Sequence, residues 1–200
     1  MVGSGEYSLV IARNTNFKMA DYVYFTDFEA GAGPEWSIRV TDNTVPDFTR
    51  FLGRFSNGST TLTVPTVPGR GYVLEFDLMI IDSWDGSGYP GPDYFSVNVG
   101  GNRLFHHTFS QFGGPQTYPG APTLGGRNFG WSGWNDAIYR GISIPFVAAS
   151  AITSIQFYDG GLQGLSDESW GIDNVDVQGL RLAGQRQGRF GRPFAGHLRA

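Results

Sequence analysis

The sequence predicts an all-β chain, folded as a two-sheet antiparallel sandwich. Three observations carry that expectation. Glycine and proline, 30 and 11 of 200 residues, make up about a fifth of the chain and disfavour helix. Apolar residues alternate with polar or small ones at period two in segment after segment, the pattern of strands with one buried face. Clusters of Gly, Pro and Asn separate roughly ten such segments, and no amphipathic stretch of three helical turns lies between them.

Taken in order, 6–13 (EYSLVIAR) reads as a strand that Asn14, Thr15 and Asn16 break. It is either an edge strand of the same domain or the closing strand of a preceding module; it resembles the tail of the pre-peptidase-type β domains of bacterial secreted proteins. Trp36, Ile38 and Val40 alternate with Glu35, Ser37 and Arg39, which predicts a strand. The longest apolar stretch, 72–81 (YVLEFDLMII), should be central. Phe95, Val97 and Val99, then Ile138, Ile142, Ile144 and Phe146, then Ile155 and Phe157, each mark further strands. Residues 110–136 carry no strand pattern, and so long an unpatterned stretch inside a domain is usually functional; it displays Phe112, Tyr118, Phe129, Trp131 and Trp134. The boundaries expected are 1–21 for a terminal strand, 22–178 for the sandwich, and 179–200 for a basic tail without a core pattern, predicted to be disordered.

The formal charge of −4 hides an asymmetry. Residues 1–178 hold eighteen acidic and nine basic residues, a balance of −9, whereas 179–200 hold five arginines and no acid. An acidic body disfavours nucleic acid as a partner, because phosphate neutralisation needs a basic surface. It suits solubility, or a divalent cation. There is no cysteine, which excludes disulfides and thiolate chemistry. No run of apolar residues is long enough for a membrane-spanning helix, and the first residues do not read as a signal peptide. Lys18 is the sole lysine, so the sheet edges lack their usual charged guards and self-association through them is a further reading.

Several segments in series resemble a known arrangement: FTDFE at 25–29, Trp36, FLGRF at 51–55, LEFDL at 74–78, DSWDG at 82–86, PDYFSV at 92–97 and DESWGIDNV at 167–175. Their order is similar to that of the MAM and laminin-G group of concanavalin-like jelly rolls, in the form seen in bacterial cell-surface and exported proteins. The resemblance covers 22–178 and departs from MAM domains in lacking their cysteines. It implies a jelly-roll fold and an extracellular or surface-attached module for adhesion or ligand binding, without catalysis and often stabilised by calcium. It also implies that the early acidic segment, Asp27 and Glu29, lies beside Asp173.

The residues themselves point to cation chemistry at two places. Asp173 shares a strand face with Val175 and Val177 by simple alternation, so it is expected to be an acid on the core side. A buried carboxylate needs a partner; the candidates are a calcium ion, which the resemblance implies would be shared with Glu29 and Asp27, backbone N–H groups, or an arginine such as Arg54. The second cluster is Asp82, Asp85 and Asp93 around a Gly/Pro-rich loop, joined by Asp167 and Glu168 if the two loops meet at one rim. Calcium takes six to eight oxygens of this kind; the alternative is solvated turn aspartates.

Trp84, Trp131 and Trp134 are the candidates for a ligand platform, since flat aromatic faces stack on sugar rings; Trp170 reads as core. Between Trp131 and Trp134, the position next to the strand near Ala137 favours Trp134 as packing and Trp131, between Gly130 and Ser132, as exposed. Jelly-roll glycosidases of the laminarinase type carry a Glu-x-Asp-x-x-Glu strand. Glu75 and Asp77 match its first half, but Met79 and Ile80 stand where the third acid belongs. His106 and His107 point to opposite faces of a strand and form no chelating pair. With what the resemblance implies, these residues lead to the expectation of a non-catalytic, exported, calcium-stabilised binding or adhesion module that contacts carbohydrate or a surface protein. The alternatives are a jelly-roll glycan-active enzyme and a structural subunit assembling through its sheet edges.

Overall fold

The computed structural model describes residues 18–181 apart from 46, 47 and 112. Its strands are β1 (Lys18–Thr26), β2 (Thr41–Asp42), β3 (Phe51–Phe55), β4 (Ser59–Pro65), β5 (Gly71–Asp82), β6 (Tyr94–Val99), β7 (Asn102–Thr108), β8 (Leu124–Arg127), β9 (Asp136–Val147), β10 (Ile152–Gly160) and β11 (Glu168–Arg181). No helix occurs among the described residues. One sheet has seven strands, in the order β2-β3-β11-β5-β9-β8, with β1 also on β11; the other has four, β4-β10-β6-β7. All pairings are antiparallel. The expected two-sheet sandwich is therefore present. The chain's amide and carbonyl groups go into these ladders, while the facing side chains fill the space between the sheets.

That interior follows from alternation. On β5, Tyr72, Leu74, Phe76, Leu78 and Ile80 face the four-stranded sheet and meet Ile155 and Phe157 of β10 and Phe95, Val97 and Val99 of β6. Full burial of each such side chain is worth roughly 1.5–3 kcal/mol. The other face of β5 is covered as well: Met79 and Ile81 join Phe51, Ile138 and Phe129 in a second cluster, against which Phe48 and Trp131 pack. This outer cluster explains why 72–81 reads as a nearly continuous apolar run.

Two bulges decide which acids face outward. The β5–β11 register shifts between Asp173 and Asp176, where Asn174 adopts φ 50°, and the β5–β9 register shifts between Phe76 and Leu78, opposite Gly141 at φ 65°. A bulge inserts one residue and reverses the parity of everything beyond it. Ile172 and Val175, three apart, thus both face the core. Asp173 does not share the face of Val175 and Val177; it lies on the outer face of the sheet, beside Asp77, its partner across the ladder.

Other expectations also change. Trp36 is buried, but 36–40 makes only one bridge, to Leu62, and Ile38 and Val40 are 42% and 54% exposed. The segment instead covers the edge of β4, with Ser37 N donating to Thr61 O and Thr63 N to Glu35 O. The unpatterned stretch contains β8, whose four residues are exposed and which pairs with the start of β9. The break expected after residue 178 falls inside β11, which continues to Arg181 against β1. The expected boundary at 21/22 likewise falls inside β1. The segment 6–13 and the tail from 182 onward lie outside the described residues.

Candidate metal centre and outer-face pocket

The loop after β5 turns back at Trp84 and Asp85, and Asp93 stands just before β6. β11 begins at Glu168, on the neighbouring strand, so the start of β11 and the end of β5 deliver acids to one rim. Asp85, Asp93 and Glu168 meet there, each offering a carboxylate oxygen, and these oxygens all lie within 4.8 Å of one another. Two ligands of one calcium ion can be at most about 5 Å apart, twice its bond length to oxygen. Asp93 and Glu168 are fully buried. One oxygen of Asp93, Oδ2, accepts from the Asp85 amide, and Glu168 Oε2 accepts from Gln163 N at 2.9 Å. Asp93 Oδ1 is buried and receives no hydrogen bond.

Electrostatics agree with like charges crowded together in a buried place. Burial pushes Glu168 up to about 7, against the Gln163 amide and with help from the charges of Asp93, Asp85 and Asp167. Burial likewise raises Asp93, with the charges of Asp85 and Asp167 adding to it, and raises Asp85, with Asp167 adding. Gly161 closes the site: at φ 95° its backbone approaches so near that an added Cβ would collide with Pro92 O and stand 2.9 Å from Asp93 Oδ1. Gly161→Ala should therefore lower the melting midpoint and weaken any cation bound by Asp93, an outcome that thermal melts with and without calcium would read.

The other acids proposed for this rim have different duties. Asp82 points away from the cluster: Arg54 Nη2 reaches its Oδ2 at 3.4 Å, and Ser132 donates to its Oδ1. Arg54 is thereby the partner of Asp82 and not of Asp173. Asp167 Oδ1 accepts from Ser83 Oγ at 2.7 Å. Asp136, which sequence reasoning missed, is wholly buried and accepts from Asp82 N at 2.9 Å and Phe129 N at 2.7 Å, so it ties the 128–136 loop to the end of β5. Burial pushes its carboxyl up to about 6.

Asp27, Glu29 and Asp173 do come together, in a pocket of about 380 Å³ on the outer face of the seven-stranded sheet. They are not a chelating group: among the described residues the converging set is Asp85, Asp93 and Glu168. Asp173 is 4% exposed. Its Oδ1 accepts from Asn174 N at 2.7 Å, and Thr49 Oγ1 stands 3.4 Å from its Oδ2. Burial pushes it up to about 6, with Asp77 and Glu29 adding to the shift. Asp77 caps both bulges, accepting from Gly141 N at 2.8 Å and Asn174 Nδ2 at 3.0 Å, and Arg140 pairs with it at 3.6 Å. Asp77 thus hydrogen-bonds to both neighbouring strands.

The aromatic candidates divide differently from expectation. Trp84 is no ligand platform: it is completely buried, its Nε1 donates to Ser169 O at 3.0 Å, and its ring meets Phe109 edge-on. Trp131 packs on Phe48 and Phe51, with ring centres 5.1 and 5.7 Å away, while Trp134 is 47% exposed. The reason is long-range: Phe48 and Phe51 arrive from the β3 side of the sheet, a contact that Gly130 and Ser132 do not announce. Trp131→Ala should cost about 2 kcal/mol or more. Trp134→Ala should stay within about 0.5 kcal/mol of the parent. Melting of the two variants checks this.

No family model and no curated protein matches the chain. Among solved structures, dimeric latent PorU from Porphyromonas gingivalis is similar, with a TM-score of 0.43 and 13% identity, over 86% of this chain and 14% of that one. A likeness at that level carries no argument about activity.

Proposed function

We propose that this chain is a calcium-stabilised, non-catalytic binding module of an exported or cell-surface protein. The observation that supports it most is Asp93, a fully buried carboxylate with one oxygen unpartnered, next to the carboxylates of Asp85 and Glu168. Two buried carboxylates with one backbone amide each, and a third carboxylate beside them, cost several kcal/mol of desolvation and mutual repulsion. A cation removes that cost. The donors are all oxygen, which favours a hard cation, and irregular loops fit the adaptable shell of calcium better than the strict octahedron of magnesium. Extracellular calcium modules bind with dissociation constants on the order of 0.1–1 mM, which matches the exported setting that the MAM and laminin-G resemblance implies. That resemblance also supports the binding role, toward carbohydrate or a surface protein. Calorimetric titration of metal-stripped protein tests the reading. One calcium per chain should bind, and binding should vanish in Asp93→Asn and Glu168→Gln. A folded protein that takes up no calcium at millimolar concentration overturns it.

A further inference from the structure

The connection between β10 and β11 carries a side-chain amide to the rim. β10 ends at Gly160 and β11 begins at Glu168, and Glu168 itself closes the loop between them. The amides of Asp167 and Glu168 donate to Gly164 O at 2.9 and 2.8 Å, while the Glu168 carboxylate reaches back to accept from Gln163 N at 2.9 Å. The backbone of Gln163 is thereby fixed beside that carboxylate, and its side chain follows. With the amide turned so that its nitrogen faces Glu168, that nitrogen stands 2.7 Å from Oε1 and 2.5 Å from Oε2. The reverse orientation would press the amide oxygen against two acceptors, with no hydrogen between them.

A calcium ion held by both oxygens of one carboxylate lies about 2.3–2.6 Å from each. The Gln163 amide nitrogen occupies almost that position. It brings N–H donors to a buried carboxylate, which is the service a cation would perform with more charge. One position cannot hold both. The rest of the rim is not served in this way: Asp93 has no exposed surface, its Oδ1 has no donor, and Asp85 stands beside it. Calcium takes six to eight oxygens, so an ion over Asp85 and Asp93 that cannot also use both oxygens of Glu168 is short of ligands. Gln163 is exposed, so its side chain can swing into water without leaving a void. Its backbone N–H remains on Oε2, which keeps the carboxylate in place when the side chain leaves.

We propose that Gln163 is a built-in plug of the rim site: its side-chain amide stands in for the cation at Glu168 and must be displaced before the ion is fully held. The proposal rests on the reading of the rim as a calcium site and adds what sets the threshold of that site. The apparent affinity of a site is reduced by the fraction of time it is competent, so an amide swung out about a tenth of the time weakens binding about tenfold. The plug thus moves the chain toward the weak-binding range of extracellular modules, about 0.1–1 mM. At lower calcium the site stays shut, with Glu168 solvated by its own loop.

The test is calorimetric titration of the metal-stripped whole chain with calcium chloride, for the parent, Gln163→Ala and Gln163→Asn, whose shorter stem does not bring its amide to the carboxylate. Both variants should bind about tenfold more tightly than the parent. In chelator they should melt below the parent, because Glu168 has lost its internal donor; in saturating calcium all three should melt together. The side-chain amide proton signals of Gln163 should shift when calcium is added to the parent, as the hydrogen bonds to Glu168 are exchanged for water. Weaker binding in the variants would make Gln163 a ligand of the ion and overturn the plug. Equal binding, or Gln163 amide signals that calcium leaves unmoved, overturns it as well; in each of these cases the parent still binds and the cation reading stands. Variants that bind calcium where the parent does not would support the plug and overturn the reading of the parent as calcium-stabilised. No binding at millimolar calcium by any of the three overturns both.

Discussion

Trp84→Ala should lower the stability of the chain by roughly 3–5 kcal/mol, the cost of emptying a large aromatic site in a packed interior. The ring is wholly enclosed and its indole N–H is the donor to Ser169 O at 3.0 Å, so truncation leaves both a void and an unpaired carbonyl. For a domain of this length each kcal/mol moves the midpoint by about 2–4 °C, which makes a drop of the order of 10 °C. Trp84→Phe separates the two contributions, since it keeps most of the volume and loses the donor; it should recover more than half of the loss. The effect should also reach the rim. Trp84 precedes Asp85, whose amide donates to Asp93, so Trp84→Ala should weaken calcium binding in the fraction that remains folded. A midpoint within 1 °C of the parent would contradict the buried position and restore Trp84 as a surface ring.

The inner faces of β5, β6 and β10 were legible because period-two alternation reports which way side chains point, and here one face of each is buried continuously. What alternation does not report is pairing. Trp36, Ile38 and Val40 alternate as a strand does, yet only Trp36 bridges to a neighbour and the other two are exposed. Nor does it report a bulge. Asn174 inserts into β11 and turns Asp173 away from the core face that Val175 holds, a change of parity that no local residue pattern reveals. The rim acids were readable as a set from their places at strand ends. Which of them converge depends on how two loops fold over one another: Asp85, Asp93 and Glu168 meet, while Asp82 is turned to Arg54 and Asp167 to Ser83. Arg127, Arg140 and Phe48 carry no signal of their own in the sequence, because only the strand order brings them to Asp173.

Saturating calcium should raise the stability of the chain by about 2.7 kcal/mol at a hundred times its dissociation constant, a rise of roughly 5–10 °C in midpoint. The pH dependence is the sharper measurement. Glu168 is raised to about 7, and Asp85 and Asp93 are raised as well. A carboxyl raised in the folded state binds its proton more tightly there than in the unfolded chain. The stability it adds is complete below the unfolded value and is lost as pH rises through the folded one. Asp136 and Asp173, both pushed to about 6, act with the same sign. Chelated protein should therefore melt at falling temperature as pH goes from 4.5 to 7.5. Calcium requires the ionised carboxylates and displaces their protons, so its stabilisation should be small at pH 5 and largest above 7, and the two melting curves should diverge with rising pH. In Glu168→Gln the divergence should shrink and the chelated slope should flatten, because the group with the highest folded value no longer titrates. Parallel curves for chelated and calcium-loaded protein across this range would mean that the buried rim carboxylates do not hold the ion, and the charge of Asp93 and Glu168 would then have to be relieved by protonation alone.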